Sequence, residues 1–282
     1  MKRWLLVCIA VLGPFGSRSE AHAAPPDSTP PADFKMHILL YGAGKVPQAK
    51  STVVVREGRS YQFLNDTSKE VQIVEPRSGR VVLLDLKRGI QTEILHAQLE
   101  ENLERLHSAI DRTASRKEGS ESRSDRVAAS MSRNLIDRTL RASFDASKRL
   151  LTLKNATVEL SATGVSEQAA GRLRQIRLTL ELLIELSALR DPRSIPPFAR
   201  LESLRQLVEV HQLVPVEVTL VYRLAGPPIL HRWAYDYVDT LTLDEREAIV
   251  RIERLRSTAP LLPYERYEAL LREKAEEAAG PR

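Results

Sequence analysis

Short β-rich runs fill the chain from Phe34 to Ile94, at 36–41, 52–56, 61–64, 71–74, 81–86 and 90–94. Gly42 and Gly44, Gly58, Asn65-Asp66, Pro76-Arg77-Ser78-Gly79 and Gly89 punctuate them. Spacing this close leaves no room for crossover helices, so the pattern predicts an antiparallel meander.

At Leu95 the period changes. Leu95, Leu99, Leu103, Leu106 and Ile110 fall within about 80° of one another on a helical wheel, one apolar stripe on a helix running to about Arg116. Residues 117–124 are all charged, Ser or Gly and predict an exposed loop, followed by a weaker helix over 126–139 carrying Val127, Met131 and Leu135. Strand character returns at 143–145, 150–153 and 157–160, the last two joined by a tight turn at Lys154-Asn155. The longest helical signal is 167–189. Its second half, with Leu178, Leu180, Leu182, Leu183, Ile184 and Leu186, leaves almost no polar face, which predicts a helix packed on two sides at the centre of the fold.

Pro196-Pro197 opens a helix with Phe198, Leu201, Leu204 and Leu207, since a proline N–H is not needed in a first turn. From Val214 to Ala225 apolar and polar residues alternate, the clearest strand in the chain, and Gly226-Pro227-Pro228 turns it back into 229–238. Antiparallel pairing of these two runs is expected to set Leu220 beside Trp233 and Val218 beside Tyr235. Thr242-Leu243-Asp244-Glu245 has the spacing of a capping box and predicts a helix through Leu255, with a last helix from about Pro263.

Composition narrows the class. With 43% hydrophobic, 28% charged and 5% aromatic residues over 282 positions, the bulk of the chain is globular. One cysteine excludes an internal disulfide framework and a Cys-based zinc cluster. Residues 1–23 read as a signal peptide: Lys2 and Arg3, an apolar run over 4–12, and Ala21-His22-Ala23 as a cleavage site. The run is about half the ~20 residues a spanning helix needs. Cys8 follows Val7, where lipidation would want a small residue. The expected product is exported, periplasmic or secreted, with a proline-rich tether over 24–33 and a single domain over 34–282. Cleavage would take the formal charge from +5 to +3 by removing Lys2, Arg3, Arg18 and Glu20. The excess sits in 112–149, where ten Lys and Arg face five Asp and Glu, with an exposed basic segment near 112–126. Such a segment reads first as a solvated, partly flexible face; export argues against nucleic acid as a partner, and the functional alternatives are anionic headgroups, cell-wall polymers or an acidic envelope partner.

No catalytic signature is present: there is no G-x-S-x-G, H-E-x-x-H or G-x-G-x-x-G, and Gly42-Ala43-Gly44-Lys45 lacks the spacing of a phosphate loop. His96, Glu100, Glu104, His107 and Asp111 share one flank of the first long helix, and Glu104-x-x-His107 has a form used in di-iron bundles. Those sites need a second such motif, which the chain lacks, so the flank reads as solvated and no metal or cofactor is expected. The remaining candidates are aromatic. Ile229, His231, Trp233, Tyr235 and Tyr237 would share one strand face, with Tyr222 on the strand before it. They form either a wall of the core or a groove for an apolar ligand, with Tyr hydroxyls and His231 at its wetter rim.

The 61–93 stretch with Val81-Val82-Leu83-Leu84-Asp85-Leu86 and Gln91-Thr92-Glu93, the helix start Pro196-Pro197-Phe198-Ala199-Arg200-Leu201, and Leu213-Val214-Pro215-Val216-Glu217-Val218 resemble a family of exported bacterial proteins of unassigned function. The resemblance covers most of the chain beyond residue 23, rests on structural motifs and implies no activity. The predicted architecture is α+β, an antiparallel curved sheet made of the N-terminal meander and two later hairpins, with long helices packed on one face. At the level of fold this is similar to periplasmic lipoprotein carriers of the LolA/LolB type, which hold acyl chains between a half-barrel and its helices. The expected function is a non-catalytic binding module for an apolar ligand or protein partner. The alternatives are a closed-core scaffolding or interaction domain of the cell envelope and an unrecognised exported hydrolase. A cavity of several hundred Å3 between sheet and helices would favour the first, a filled interface the second.

Overall fold

The computed structural model describes residues 32–64, 69–137, 140–191, 196–223 and 227–279. The leader over 1–23, Cys8 within it and most of the 24–33 tether lie outside the described residues.

The meander forms as expected: β1 (Phe34–Tyr41), β2 (Ala49–Arg56), β3 (Arg59–Leu64), β4 (Glu70–Glu75), β5 (Arg80–Asp85) and β6 (Ile90–Leu95), each antiparallel to the next. The β2–β3 hairpin closes on Glu57 and Gly58, with φ of 52° and 77°. Two successive positive φ values match the right-handed twist of the strands, and glycine adopts them without a Cβ penalty. Two helices follow, α1 (His96–Glu118) and α2 (Arg123–Ile136), then β7 (Arg141–Asp145), β8 (Leu150–Lys154) and β9 (Val158–Ser166). The β8–β9 turn is held by Asn155, whose Oδ1 accepts the N–H groups of Thr157 and Val158 at 2.9 and 2.8 Å. After α3 (Ala170–Arg190) and α4 (Phe198–Arg205) comes a π-helical turn over Gln206–Val210, then β10 (Leu213–Tyr222) and β11 (Ile229–Val238). The chain ends in α5 (Leu243–Thr258), a two-residue strand β12 (Leu261–Leu262) parallel to β6, and α6 (Tyr264–Ala279).

All twelve strands of the described residues belong to one curved, unclosed sheet in the order β12-β6-β5-β4-β3-β2-β1-β11-β10-β9-β8-β7. The link between its halves is the β1–β11 pairing, which sets Ile38 opposite Tyr235 and Leu40 opposite Trp233. The β10–β11 hairpin keeps the expected faces but differs in register by two residues: Val218 lies opposite Trp233, and Leu220 opposite His231. A shift of two leaves the alternation of side chains intact, so the hydrophobic pattern does not distinguish the two pairings. The β9–β10 register shifts between Pro215 and Glu217. Proline has no N–H for the ladder, and a bulge is where a strand tolerates that. Gly164 lies opposite Pro215 so closely that a Cβ there would stand 2.8 Å from both Leu213 Cβ and the Val214 carbonyl oxygen.

The largest cluster of buried side chains joins β1, β2 and β8 to β10 with Ile176, Leu180 and Ile184 of α3 and Leu204 of α4. A second joins β4, β5 and β6 with Leu99 of α1, Leu182 and Leu186 of α3, and Tyr267 of α6. Helix α3 contributes to both, the two-sided packing its apolar circumference predicts. The opposite face of the meander is also covered: Val54, Tyr61, Ile73 and Val82 pack against Ile249 and Ile252 of α5. That helix starts on its predicted capping box, Thr242 Oγ1 accepting the Glu245 N–H and the Glu245 carboxylate accepting the Thr242 N–H at 2.8 Å. Helix α2 begins three residues earlier than its apolar pattern predicts. It buries Ala129 and Ile136, while Val127 is exposed, because a small residue lets the helix sit close to its neighbour.

Candidate functional site

The concave face is not filled throughout. Between α3 and strands β4-β3-β2-β1-β11 lies a cavity of about 770 Å3. Its apolar lining comes from Ile38 and Leu40 of β1, Leu64 of β3, and Leu180, Leu183 and Ile184 of α3. Strand β11 supplies one wall and runs from the surface inward: Ile229 is 41% exposed, Tyr235 7%. This volume falls within the ~300–1,000 Å3 typical of small-molecule sites.

Polar groups enter the lining from β2–β4, from the end of α3 with Ser187, Arg190 and Asp191, and from the β11 side, and Lys50 borders it on β2. On the β2–β4 side, Ser51, Gln62 and Gln72 point to the cavity, and Gln62 Nε2 donates to Ser51 Oγ at 3.0 Å. Deeper under α3, Ser60 Oγ and Thr179 Oγ1 are 2.7 Å apart, and Gln175 Nε2 donates to Ser60 Oγ at 3.1 Å. On the β11 side stands Arg200, in the first turn of α4, its guanidinium carbon 4.0 Å from the centroid of the Trp233 ring. His231 stacks on the same tryptophan, the centroids 5.8 Å apart and the planes 27° from parallel. Burial, with the charge of Arg200 alongside, holds the His231 imidazole below its ordinary pKa. Burial raises the pKa of Tyr235, and Arg200 pulls against that rise.

No family model and no curated protein matches this chain. The site is therefore read from its own geometry. Of the five aromatic candidates, the structure brings His231, Trp233 and Tyr235 to the cavity. Tyr222 and Tyr237 belong to the core: the Tyr222 hydroxyl donates to the Pro196 carbonyl at 3.3 Å, and that of Tyr237 to the Pro215 carbonyl at 2.9 Å, beside the bulge. The face was legible from alternation. Its division between cavity and core depends on where α4 and the π-helical turn lie, which period-two patterning does not carry.

Sequence reasoning missed Arg200, Ser51, Gln62 and Gln72. For Gln62 and Gln72 a signal existed, a glutamine at an alternating inward position of each of two adjacent strands, paired directly across β3 and β4. For Arg200 the signal was slighter, a cation in a first turn, where the helix dipole disfavours positive charge.

The acidic and imidazole flank of α1 has other uses. His96 Nε2 stands 3.2 Å from Glu185 Oε2 on α3, and His107 meets Phe198 edge-on at 5.7 Å between ring centroids. Among the described residues no group of three or more His, Cys, Asp or Glu is placed to hold a metal ion. Among the described residues, too, no helix is long and apolar enough to cross a membrane.

Proposed function

We propose that this protein is an exported binding module whose cavity holds an apolar ligand between α3 and the concave face of the sheet. The observation that carries the reading is the cavity of about 770 Å3, lined by aliphatic side chains and closed on one wall by Trp233 and Tyr235. Cores of ordinary domains pack to crystal-like density with few voids larger than a water molecule, so a space of this size beside well-packed clusters is a feature to be explained. Polar groups set at fixed places beside an aliphatic surface are the usual means of orienting such a ligand. The likeness in fold to lipoprotein carriers of the LolA/LolB type and the leader-like residues 1–23 belong to the same proposal.

The test uses a neutral reporter, N-phenyl-1-naphthylamine, whose emission rises in apolar surroundings. The full chain is expected to give a saturable one-site increase, and Ala49→Phe, which projects a ring into the cavity, is expected to weaken it at least about tenfold while circular dichroism and cooperative unfolding stay intact. A folded wild-type protein with no saturable signal overturns the reading in favour of a closed-core interaction domain. So does a signal that Ala49→Phe leaves unchanged.

A further inference from the structure

We propose that the ligand is a long-chain carboxylate, with its acid group seated against Arg200 and its chain along the aliphatic lining beneath α3. The inference rests on the reading of the cavity as an apolar ligand site and adds the chemistry of the ligand's polar end.

The argument starts from the pairing of the arginines. Arg190, also in the lining, is bound to Glu70 and lies 3.3 Å from Glu268. Arg172, farther along α3, lies 2.7 Å from Asp239 and 3.3 Å from Glu167. Of the two arginines in the cavity wall, Arg200 forms no ion pair with a carboxylate among the described residues. It is only half-exposed at most, it sits in the first turn of a helix whose dipole opposes its charge, and its contacts are the face of Trp233 and the buried Tyr235. A guanidinium held in that position against an aromatic plate keeps its outward edge of N–H donors for a planar, bidentate acceptor.

The charge count selects the head group. Beside the guanidinium, the imidazole of His231 is disfavoured as a cation by burial and by Arg200 itself, so the pocket end presents one positive charge. One guanidinium matches a monoanionic carboxylate. A phosphate dianion would call for a second cation, and the other two of the lining are placed elsewhere: Arg190 is engaged by two carboxylates, and Lys50 is exposed on β2, between the inward positions Ala49 and Ser51. The aliphatic part of the lining, Ile38, Leu40, Leu64, Leu183 and Ile229, offers dispersion contacts and suits an unbranched hydrocarbon chain.

The experiment compares two ligands with the same chain. Oleate and oleyl alcohol are titrated below their aggregation thresholds against the full chain loaded with N-phenyl-1-naphthylamine. Oleate is expected to displace the dye at a concentration at least about tenfold lower than the alcohol does, the range of one charge-assisted contact. Arg200→Gln is expected to abolish that preference by weakening oleate alone, and Arg200→Lys to keep part of it, which also serves if the glutamine variant is poorly folded. Equal affinities for oleate and alcohol in the wild type, or a preference that survives Arg200→Gln, overturn the proposal while leaving the apolar site standing. Oleyl phosphate binding more tightly than oleate overturns the assignment of a carboxylate. Failure of the dye to bind at all is a different result and removes the cavity reading itself.

Discussion

The imidazole of His96 stands 3.2 Å from the carboxyl group of Glu185, and this contact, without the alignment of a hydrogen bond, joins α1 to the central helix α3. Glu185 is 4% exposed. Burial pushes its carboxyl up to about 7, against the pull of His96 and with a further push from Glu181.

A carboxyl whose folded pKa exceeds its unfolded value stabilises the protein below the unfolded pKa and loses that contribution as pH rises through the folded one. Glu185 is therefore expected to weaken the fold as pH goes from about 4.5 to 7. Glu185→Gln should be near neutral at pH 5 and more stable than the wild type by about 1–3 kcal/mol at pH 8, read from urea midpoints at both values. A stability difference that does not change with pH would refute the raised pKa.

Glu75 shows the opposite sign on the other face of the sheet. Burial alone would raise its pKa, but hydrogen bonds from Arg256 and Arg80 outweigh that and hold it below the usual carboxylate range, with Arg59 at 3.2 Å as a third cation. Its contribution is present above the unfolded pKa and lost as pH falls through the folded one. Glu75→Gln should cost about 1–3 kcal/mol at pH 7, discounted because Arg59 and Arg80 remain partly in water, and little at pH 3. Equal costs at both pH values would show that Glu75 acts through packing instead.

Gly164→Ala tests the close approach at the β9–β10 bulge. The added methyl would meet the Val214 carbonyl oxygen and Leu213 Cβ at 2.8 Å, and neither is the free end of a flexible side chain. The expected loss is about 1–3 kcal/mol by denaturant titration, the range for forced overpacking. A wild-type midpoint would mean that the two strands separate at no cost.

Local pattern made much of this fold legible. The meander could be read because residues 34–94 offer only short runs and tight turns, and the α5 start because Thr242 and Glu245 carry a local hydrogen-bonding signature. The central place of α3 followed from the absence of a polar face over 178–186. Long-range placement was not legible. Pairing of β1 with β11 brings together residues about 200 apart in sequence, such as Ile38 and Tyr235, and no local period encodes it. The same limit applied to the site. Alternation put His231, Trp233 and Tyr235 on one face, but only the docking of α4 sets Arg200 over Trp233 and leaves the space in front of both unfilled.

That placement gives Trp233 a measurable intermediate character. The two tryptophans of the chain are Trp4 and Trp233, so a Trp4→Phe variant leaves Trp233 as the single reporter. The ring has Arg200 over it and His231 stacked 5.8 Å away, yet borders the cavity and is only partly buried. Its emission in the free protein should lie between the buried and the aqueous extremes and should be quenched by acrylamide. Occupation of the cavity by oleate should shift the emission to the blue and reduce that quenching, because the chain then takes the place of water beside the ring. Trp233→Ala should cost about 2–3 kcal/mol, less than the ~3–5 of a fully packed aromatic site, since one side of the ring has no protein atoms to lose. A fully blue emission inaccessible to acrylamide in the free protein would mean that the cavity is closed over Trp233. A cost above about 5 kcal/mol would point the same way.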